Sequence, residues 1–290
     1  MQFSAQFSVV PLTLLMMLRY LVLGSSGFIG NNFCNYLRSR NCIVSEFDIK
    51  NNEDEDLRIT NNSKLRNAIE SCDFVFFLAF DVGGSKFLQN CNHDNTFLTN
   101  NTKILGNTFE ILAEFDKKFI FISSYLTKNL DHSYGLLKFL GEQFTHSLGG
   151  LVVRLYNIYG NEEVSIRSHV IPDLIYQAQN NNCIELKTNG EEKRQFLYID
   201  DCCEGLFVAS QQFDLILREC NNIDLTSFEW ISIKNIASFI SERFNCPLKI
   251  SQDKANYNSE IAPNRYILKF WKPRINLEFG ISLMLNELKN

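Results

Sequence analysis

Tyr134 and Lys138 stand four residues apart in HSYGLLKFLGEQF, so on a helix they share one face. A lysine ammonium beside a phenol favours the phenolate and lowers its pKa, which makes tyrosine a proton donor and acceptor near neutrality. Ser124 closes the apolar run KFIFISS and can hydrogen-bond the same substrate oxygen. Together these groups suit moving a proton on and off a hydroxyl while a hydride leaves the carbon beneath it. A Tyr-x-x-x-Lys pair alone is common on solvated helices, so the reading depends on a nearby hydride acceptor.

The stretch LVLGSSGFIG, residues 21–30, supplies the site for one. RYLVL reads as a buried strand, and Phe33, Tyr36 and Leu37 share a face at helical spacing, so a helix follows the glycines. Gly24, Gly27 and Gly30 therefore mark a strand-to-helix turn. Such a turn brings backbone N–H groups close to a pyrophosphate, and the helix N-terminus adds partial positive charge. The next strand, CIVSEFD, ends in Asp48, eighteen residues after Gly30. A carboxylate there accepts from both ribose hydroxyls of NAD and repels the extra phosphate of NADP.

The elements that must position these groups alternate. CDFVFFLAF (72–80) reads as a buried strand, with the small Ala79 near its end. Residues Asn101 to Leu112 read as a helix, and Lys118 to Ser124 as the next strand. Strand–helix alternation predicts a parallel sheet with helices on both faces, and ligands in such sheets sit beyond the carboxyl ends of the strands. Gly24, Asp48, Ala79 and Ser124 all fall there. Asp56, in DLR after the polar NNEDED, can lie beside an adenine amine.

The bulk numbers narrow the class. A chain of 290 residues with 45% hydrophobic content can bury one large or two unequal domains. Net charge is −5 with no long basic block, which argues against nucleic acid. Nine cysteines without a CxxC pair, with only four histidines, argue for reduced thiols in the cytoplasm and against a metal site. Val9 to Leu18 is apolar but interrupted by Pro11 and Thr13, too short to span a membrane, and without a basic signal-peptide region. Residues 1–16 read as an extension before a domain beginning near Met16 or Met17.

These motifs resemble the extended short-chain dehydrogenase/reductase family, specifically its NAD-dependent sugar-nucleotide epimerase/dehydratase group. The matching pieces are GSSGFIG, Asp48, DLR, LAF (78–80), Asn101, FISS, YGLLK, RLYNIYG (154–160), HVIPDLI (169–175), GEEKRQFLYIDD (190–201) and KPRINLEFGI (272–281). The resemblance implies an α/β fold: a Rossmann-type doubly wound sheet over 17–160 that binds NAD, and a smaller substrate lobe over 161–290. A segment at about 194–215 is expected to return to the first domain. It further implies Phe28 and Ile29 at the pyrophosphate and Asp56 and Leu57 at adenine. Leu78, Ala79, Phe80 and Asn101 fall to the inner cofactor cleft, with Tyr134, Lys138 and Tyr156 near the nicotinamide. Asn157 and Arg194 match positions that contact a nucleoside-diphosphate sugar, and Arg265 matches more loosely as a second phosphate ligand.

Two departures shape the functional expectation. Ser124 and Tyr134 are only ten residues apart, where relatives carry a longer loop that walls the sugar pocket. The site is therefore either more open or closed by another segment. The run after Ser124 also lacks the Asp-Glu pair of 4,6-dehydratases and the cysteine of a GDP-fucose synthase-like site, which disfavours dehydration. The expected activity is epimerisation, at C4, through a transient keto sugar, in a chain that can form a homodimer. The alternatives are a 4-keto-sugar reductase using external NAD(P)H and a catalytically idle NAD(H)-binding sensor or scaffold.

Overall fold

The computed structural model describes residues 18–254 and 261–287, so the expected extension at 1–16 lies outside the described residues. The first half alternates as the sequence predicts. In order come β1 (Arg19–Leu23), α1 (Phe28–Ser39), β2 (Ile43–Phe47), α2 (Ser63–Ser71), β3 (Phe74–Phe77), α3 (Ser85–Cys91), α4 (Asn95–Leu112), β4 (Lys118–Ser124), α5 (Ser133–Ser147) and β5 (Leu151–Leu155). The helix expected from Asn101 begins earlier, because Asp94 accepts from the Phe97 N–H at 2.7 Å and caps it.

The second half is more broken. It runs through β6 (Asn157–Tyr159), α6 (Val170–Asn181), β7 (Ile184–Leu186), β8 (Lys193–Arg194), β9 (Phe196–Tyr198), α7 (Ile199–Gln211) and α8 (Phe213–Glu219). It ends with β10 (Asn222–Leu225), β11 (Ile231–Ser232), α9 (Ile233–Phe244), β12 (Leu248–Ile250) and α10 (Leu277–Glu287). Three two-stranded pairs, β6 with β9, β7 with β12 and β8 with β11, stand outside the main sheet.

That main sheet has six parallel strands in the order β2-β1-β3-β4-β5-β10. Its inner strands β1, β3 and β4 are apolar on both faces over most of their length because helices cover both. Along β1, Tyr20 and Val22 join the core shared with Phe33, Leu37 and Leu206. Leu21 and Leu23 join the opposite core of Phe77, Leu105, Phe109 and Phe121. One strand thus feeds both layers by alternation. β2 lies on one side of β1 and β3 on the other, so the strand order reverses at β1 and opens a crevice above its carboxyl end.

Candidate active site

Gly24 caps β1 with φ of +88°, a conformation that side chains resist, and a Cβ there would lie 2.6 Å from the Ala79 nitrogen. A Cβ on Gly30 would lie 2.1 Å from the Gly24 carbonyl oxygen, so the first turn of α1 rests directly on the strand end. The first N–H groups of a helix lack partners within it. No side chain caps α1 and no acidic residue sits in its first turn. Its positive end therefore faces the crevice with donors to offer an anion. A pyrophosphate fits this turn.

The crevice is a cleft of about 800 Å³. Gly24, Gly27, Phe28, Ile29 and Gly30 line one end with Asp48, Asp56 and Leu57; Leu78, Ala79 and Phe80 line its floor. Asp48 is already oriented: its carboxylate accepts from the Ser26 N–H at 3.0 Å and the Lys50 N–H at 2.9 Å. Asp56 is gripped instead by Arg58, whose Nε and Nη2 donate to it at 2.8–3.0 Å. Burial works to raise the Asp56 pKa, but the Arg58 hydrogen bonds and charge hold it below the usual carboxylate range.

Ser124, Tyr134 and Lys138 also line this cleft, and all three are buried. β4 delivers Ser124 at its carboxyl end, and α5 delivers the other two from its first turns. His132 caps α5, its Nδ1 accepting from the Tyr134 N–H at 3.2 Å. Ser124 Oγ accepts from the Leu126 N–H at 3.2 Å, and the Ser124 side chain is near enough to the phenol to favour its ionised form. The Lys138 ammonium donates to the Ile122 carbonyl at 2.7 Å and lies 3.9 Å from the Phe80 ring centroid, against 6.0 Å from that of Tyr134.

The electrostatics correct one expectation. Burial pushes the Tyr134 phenol up to about 12, with the nearby Ser124 opposing it, so the lysine does not hold it below its ordinary value. The same burial pushes Lys138 down to about 7, opposed by the charge of Glu142. The reason is dielectric: a dry site disfavours phenolate and ammonium alike.

Tyr156, Asn157 and Arg194 also line the cleft. The Arg194 Nε is buried with no hydrogen-bond partner in the protein. Asn157 donates through Nδ2 to the Gln195 carbonyl at 3.0 Å, across the β6–β9 pair. Tyr156 stacks on Tyr125 with centroids 4.7 Å apart, and its hydroxyl donates to Asp224 at 3.3 Å.

Two predicted residues fall elsewhere. Asn101 is fully buried behind the cleft. Its amide donates to the Asp81 and Phe97 carbonyls, and its oxygen accepts from the Asp81 N–H at 2.8 Å. With those groups used, it pins the chain after β3 rather than facing a ligand. Arg265 is exposed and lies 5.4 Å from the Phe228 ring centroid, outside the cleft lining. Sequence reasoning in turn passed over Arg58, Asp81, Asn100, Glu162, Arg167 and His169, all of which line the cleft. Of these Arg58 had a local cue in the DLR run, and His169 in the HVIPDLI run.

The segment after β3 also meets the lobe opposite. Gly84 donates to the Arg167 carbonyl at 2.7 Å, and Arg167 Nη1 donates to Asp81. Asp81, Gly84 and Arg167 are thereby joined along the cleft wall that they line.

Residues 20–221 match the family described as the NAD dependent epimerase/dehydratase family. The chain belongs to that family. NAD is accordingly its cofactor, and it is an enzyme of the extended short-chain dehydrogenase/reductase type. It is 29% identical over 267 residues to GDP-mannose 3,5-epimerase 1 of Oryza sativa subsp. indica, covering 77% of this chain and 68% of the relative. It is 23% identical over 310 residues to a putative UDP-glucose 4-epimerase of Methanocaldococcus jannaschii, covering 93% and 98%. Among solved structures it resembles an epimerase from Methanothermobacter thermautotrophicus, with TM-score 0.79, 19% identity and coverage of 94% and 92%. It also resembles MoeE5 in complex with UDP-glucuronic acid and NAD, with TM-score 0.77, 17% identity and coverage of 93% and 99%. Fold, class and cofactor thus agree with the motif reading.

Proposed function

We propose that this chain is a sugar-nucleotide epimerase that inverts a sugar carbon, C4, through a transient keto sugar. The observation that carries the reading is that Ser124, Tyr134 and Lys138 line the same cleft as the α1 N-terminus and Asp48. When bound, NAD would supply the reversible hydride acceptor that side chains lack. The chain's own residues do the rest. The Tyr134 hydroxyl exchanges a proton with the sugar hydroxyl, and Ser124 orients that oxygen. Lys138, buried beside them, supplies positive charge. The unpartnered Arg194 guanidinium nitrogen faces the sugar nucleotide's diphosphate, which its planar donors match. Phe28 and Ile29 hold the pyrophosphate of NAD, Asp48 its ribose, and Asp56 and Leu57 flank its adenine.

The substrate lobe falls mainly to residues beyond 160. The cytoplasm fits nine free cysteines, and no helix among the described residues is long and apolar enough to cross a membrane. A homodimer fits α5, where Leu136, Phe139, Leu140 and Phe144 are each at least 37% exposed at helical spacing.

The test is single-turnover reduction of bound NAD by a nucleotide sugar, identified by binding screens against UDP-, GDP-, dTDP- and CDP-sugars. Removing the acid–base group by Tyr134→Phe should slow the step by about 10²–10⁴-fold while both ligands still bind. Ser124→Ala should cost less. A parental rate in Tyr134→Phe overturns the mechanism; stoichiometric NADH consumption would instead mark a reductase.

A further inference from the structure

Behind the cleft lies a carboxylate that this mechanism does not use. Glu142 sits one helical turn beyond Lys138 on α5 and is fully buried. Arg154 from β5 donates to it twice, from Nε at 2.7 Å and Nη2 at 2.6 Å, and the Ser123 hydroxyl donates at 2.6 Å. Replacing a buried ion pair by apolar side chains of similar volume is often neutral or stabilising, so tying α5 to β5 does not by itself require charge here. What distinguishes this pair is its place. Ser123 precedes Ser124, Arg154 precedes the Leu155–Tyr156 stretch that lines the cleft, and Glu142 follows Lys138 on the same helix face. One carboxylate thus joins the two segments that carry the reacting side chains, β4 and α5, to β5, whose end lines the cleft.

We propose that Glu142 is a positioning residue that fixes the Lys138 ammonium and Ser124 relative to each other and supplies the negative charge the lysine needs in a dry site. The proposal rests on the catalytic reading of Ser124, Tyr134 and Lys138. On α5, Tyr134 and Glu142 neighbour the lysine. Beyond them Arg154 from β5 holds Glu142, the Tyr156 hydroxyl donates to Asp224 on β10, and Tyr125 stacks on Tyr156. Glu142 is the charge that acts to raise the lysine's pKa against burial. The Ile122 carbonyl and the Phe80 and Phe121 rings provide only dipoles and π faces for it. Without the carboxylate, Lys138 shares its interior with an unbalanced Arg154, and a second cation there disfavours the ammonium further.

The experiment compares the parent, Glu142→Gln, and a double variant Glu142→Leu/Arg154→Met that removes both charges and restores an apolar contact. In single-turnover reduction of bound NAD, the pH limb that reports the lysine should move about one unit or more to lower pH in Glu142→Gln. Nucleotide-sugar affinity should change far less than that rate. The double variant recovers thermal stability if Glu142→Gln loses it, yet keeps the displaced limb. A parental pH profile in the double variant, with stability alone affected, overturns the proposal. A second readout needs no turnover: the pH window in which Lys138→Met changes the melting temperature should shift downward in the Glu142→Gln background. An unshifted window overturns the proposal even in an active enzyme. A shifted window with Tyr134→Phe fully active overturns the catalytic reading instead.

Discussion

Arg167 Nη1 donates to Asp81 Oδ1 at 2.8 Å, joining residues 86 apart in sequence on facing walls of the cleft. The same nitrogen donates to the Val82 carbonyl at 3.0 Å, and the guanidinium lies 3.9 Å from the Phe87 ring centroid. The other Asp81 oxygen accepts from Asn100 at 3.1 Å, and Asn100 accepts in turn from Arg58, the partner of Asp56. A polar chain therefore runs along the cleft from Asp56 through Arg58, Asn100 and Asp81 to Arg167.

Asp81→Asn should loosen this closure without touching the proton-transfer groups. The pair is partly exposed, and exposed pairs contribute about 0.2–1 kcal/mol, so KM for the sugar nucleotide should rise by up to about fivefold with kcat nearly unchanged. Steady-state kinetics check this. A fall in kcat with KM fixed would show that the bridge shapes the reacting geometry rather than the pocket wall.

What was legible in the sequence follows from distance along the chain. GSSGFIG and YGLLK are local: the turn, the helix and the shared face lie within a few residues of one another, and Gly24, Gly30, Tyr134 and Lys138 all reach the cleft. Asp81, Asn100 and Arg167 carry no local pattern, because crossover connections bring them together. Asn101 shows the opposite failure. Its position in the motif was readable, but its side chain turned out to be spent on the backbone of Asp81 and Phe97. The two-residue strands β8 and β11 are too short for any period to announce them.

Stability should depend on pH through the two buried groups of the site. Lys138 falls from 10.5 to about 7 on folding. Between those values the unfolded chain binds the extra proton, so stability rises with pH across that window and its contribution is lost as pH falls toward 7. Tyr134 rises from 10.0 to about 12. Its contribution is present below pH 10 and lost as pH climbs toward 12. Melting curves of the cofactor-free protein and of Lys138→Met should therefore differ most near neutrality and converge as pH approaches 10. Parallel curves would show that the lysine is charged in the fold as it is in water.

The stripe on α5 predicts a solution assembly. Leu136 and Leu140 lie one turn apart with Phe139 and Phe144 beside them, all substantially exposed, a pattern that marks an interaction surface when contiguous. The parent should sediment as a dimer, and Leu136→Glu/Leu140→Glu should give a monomer that still binds NAD. A monomeric parent at micromolar concentration rules the dimer out.

The cofactor preference follows from the end of β2. A 2′-phosphate beside Asp48 would face a carboxylate whose oxygens already hold the Ser26 and Lys50 N–H groups, so it cannot readily turn aside. Glu55 adds a second carboxylate to the cleft wall and accepts from the Asp48 N–H at 3.0 Å. Arg58 is the guanidinium within reach of this end, and Asp56 occupies it. Lys50 remains to soften the clash. Two like charges in contact at a partly solvated surface repel by about 1–4 kcal/mol, so NADP(H) should bind about ten- to a thousandfold more weakly than NAD(H). Calorimetric titration of cofactor-free protein measures the ratio directly. Asp48→Asn should narrow it from both sides, easing the repulsion while weakening the ribose hydrogen bonds of NAD. Equal or tighter binding of NADP(H) by the parent would discard Asp48 as the discriminating residue.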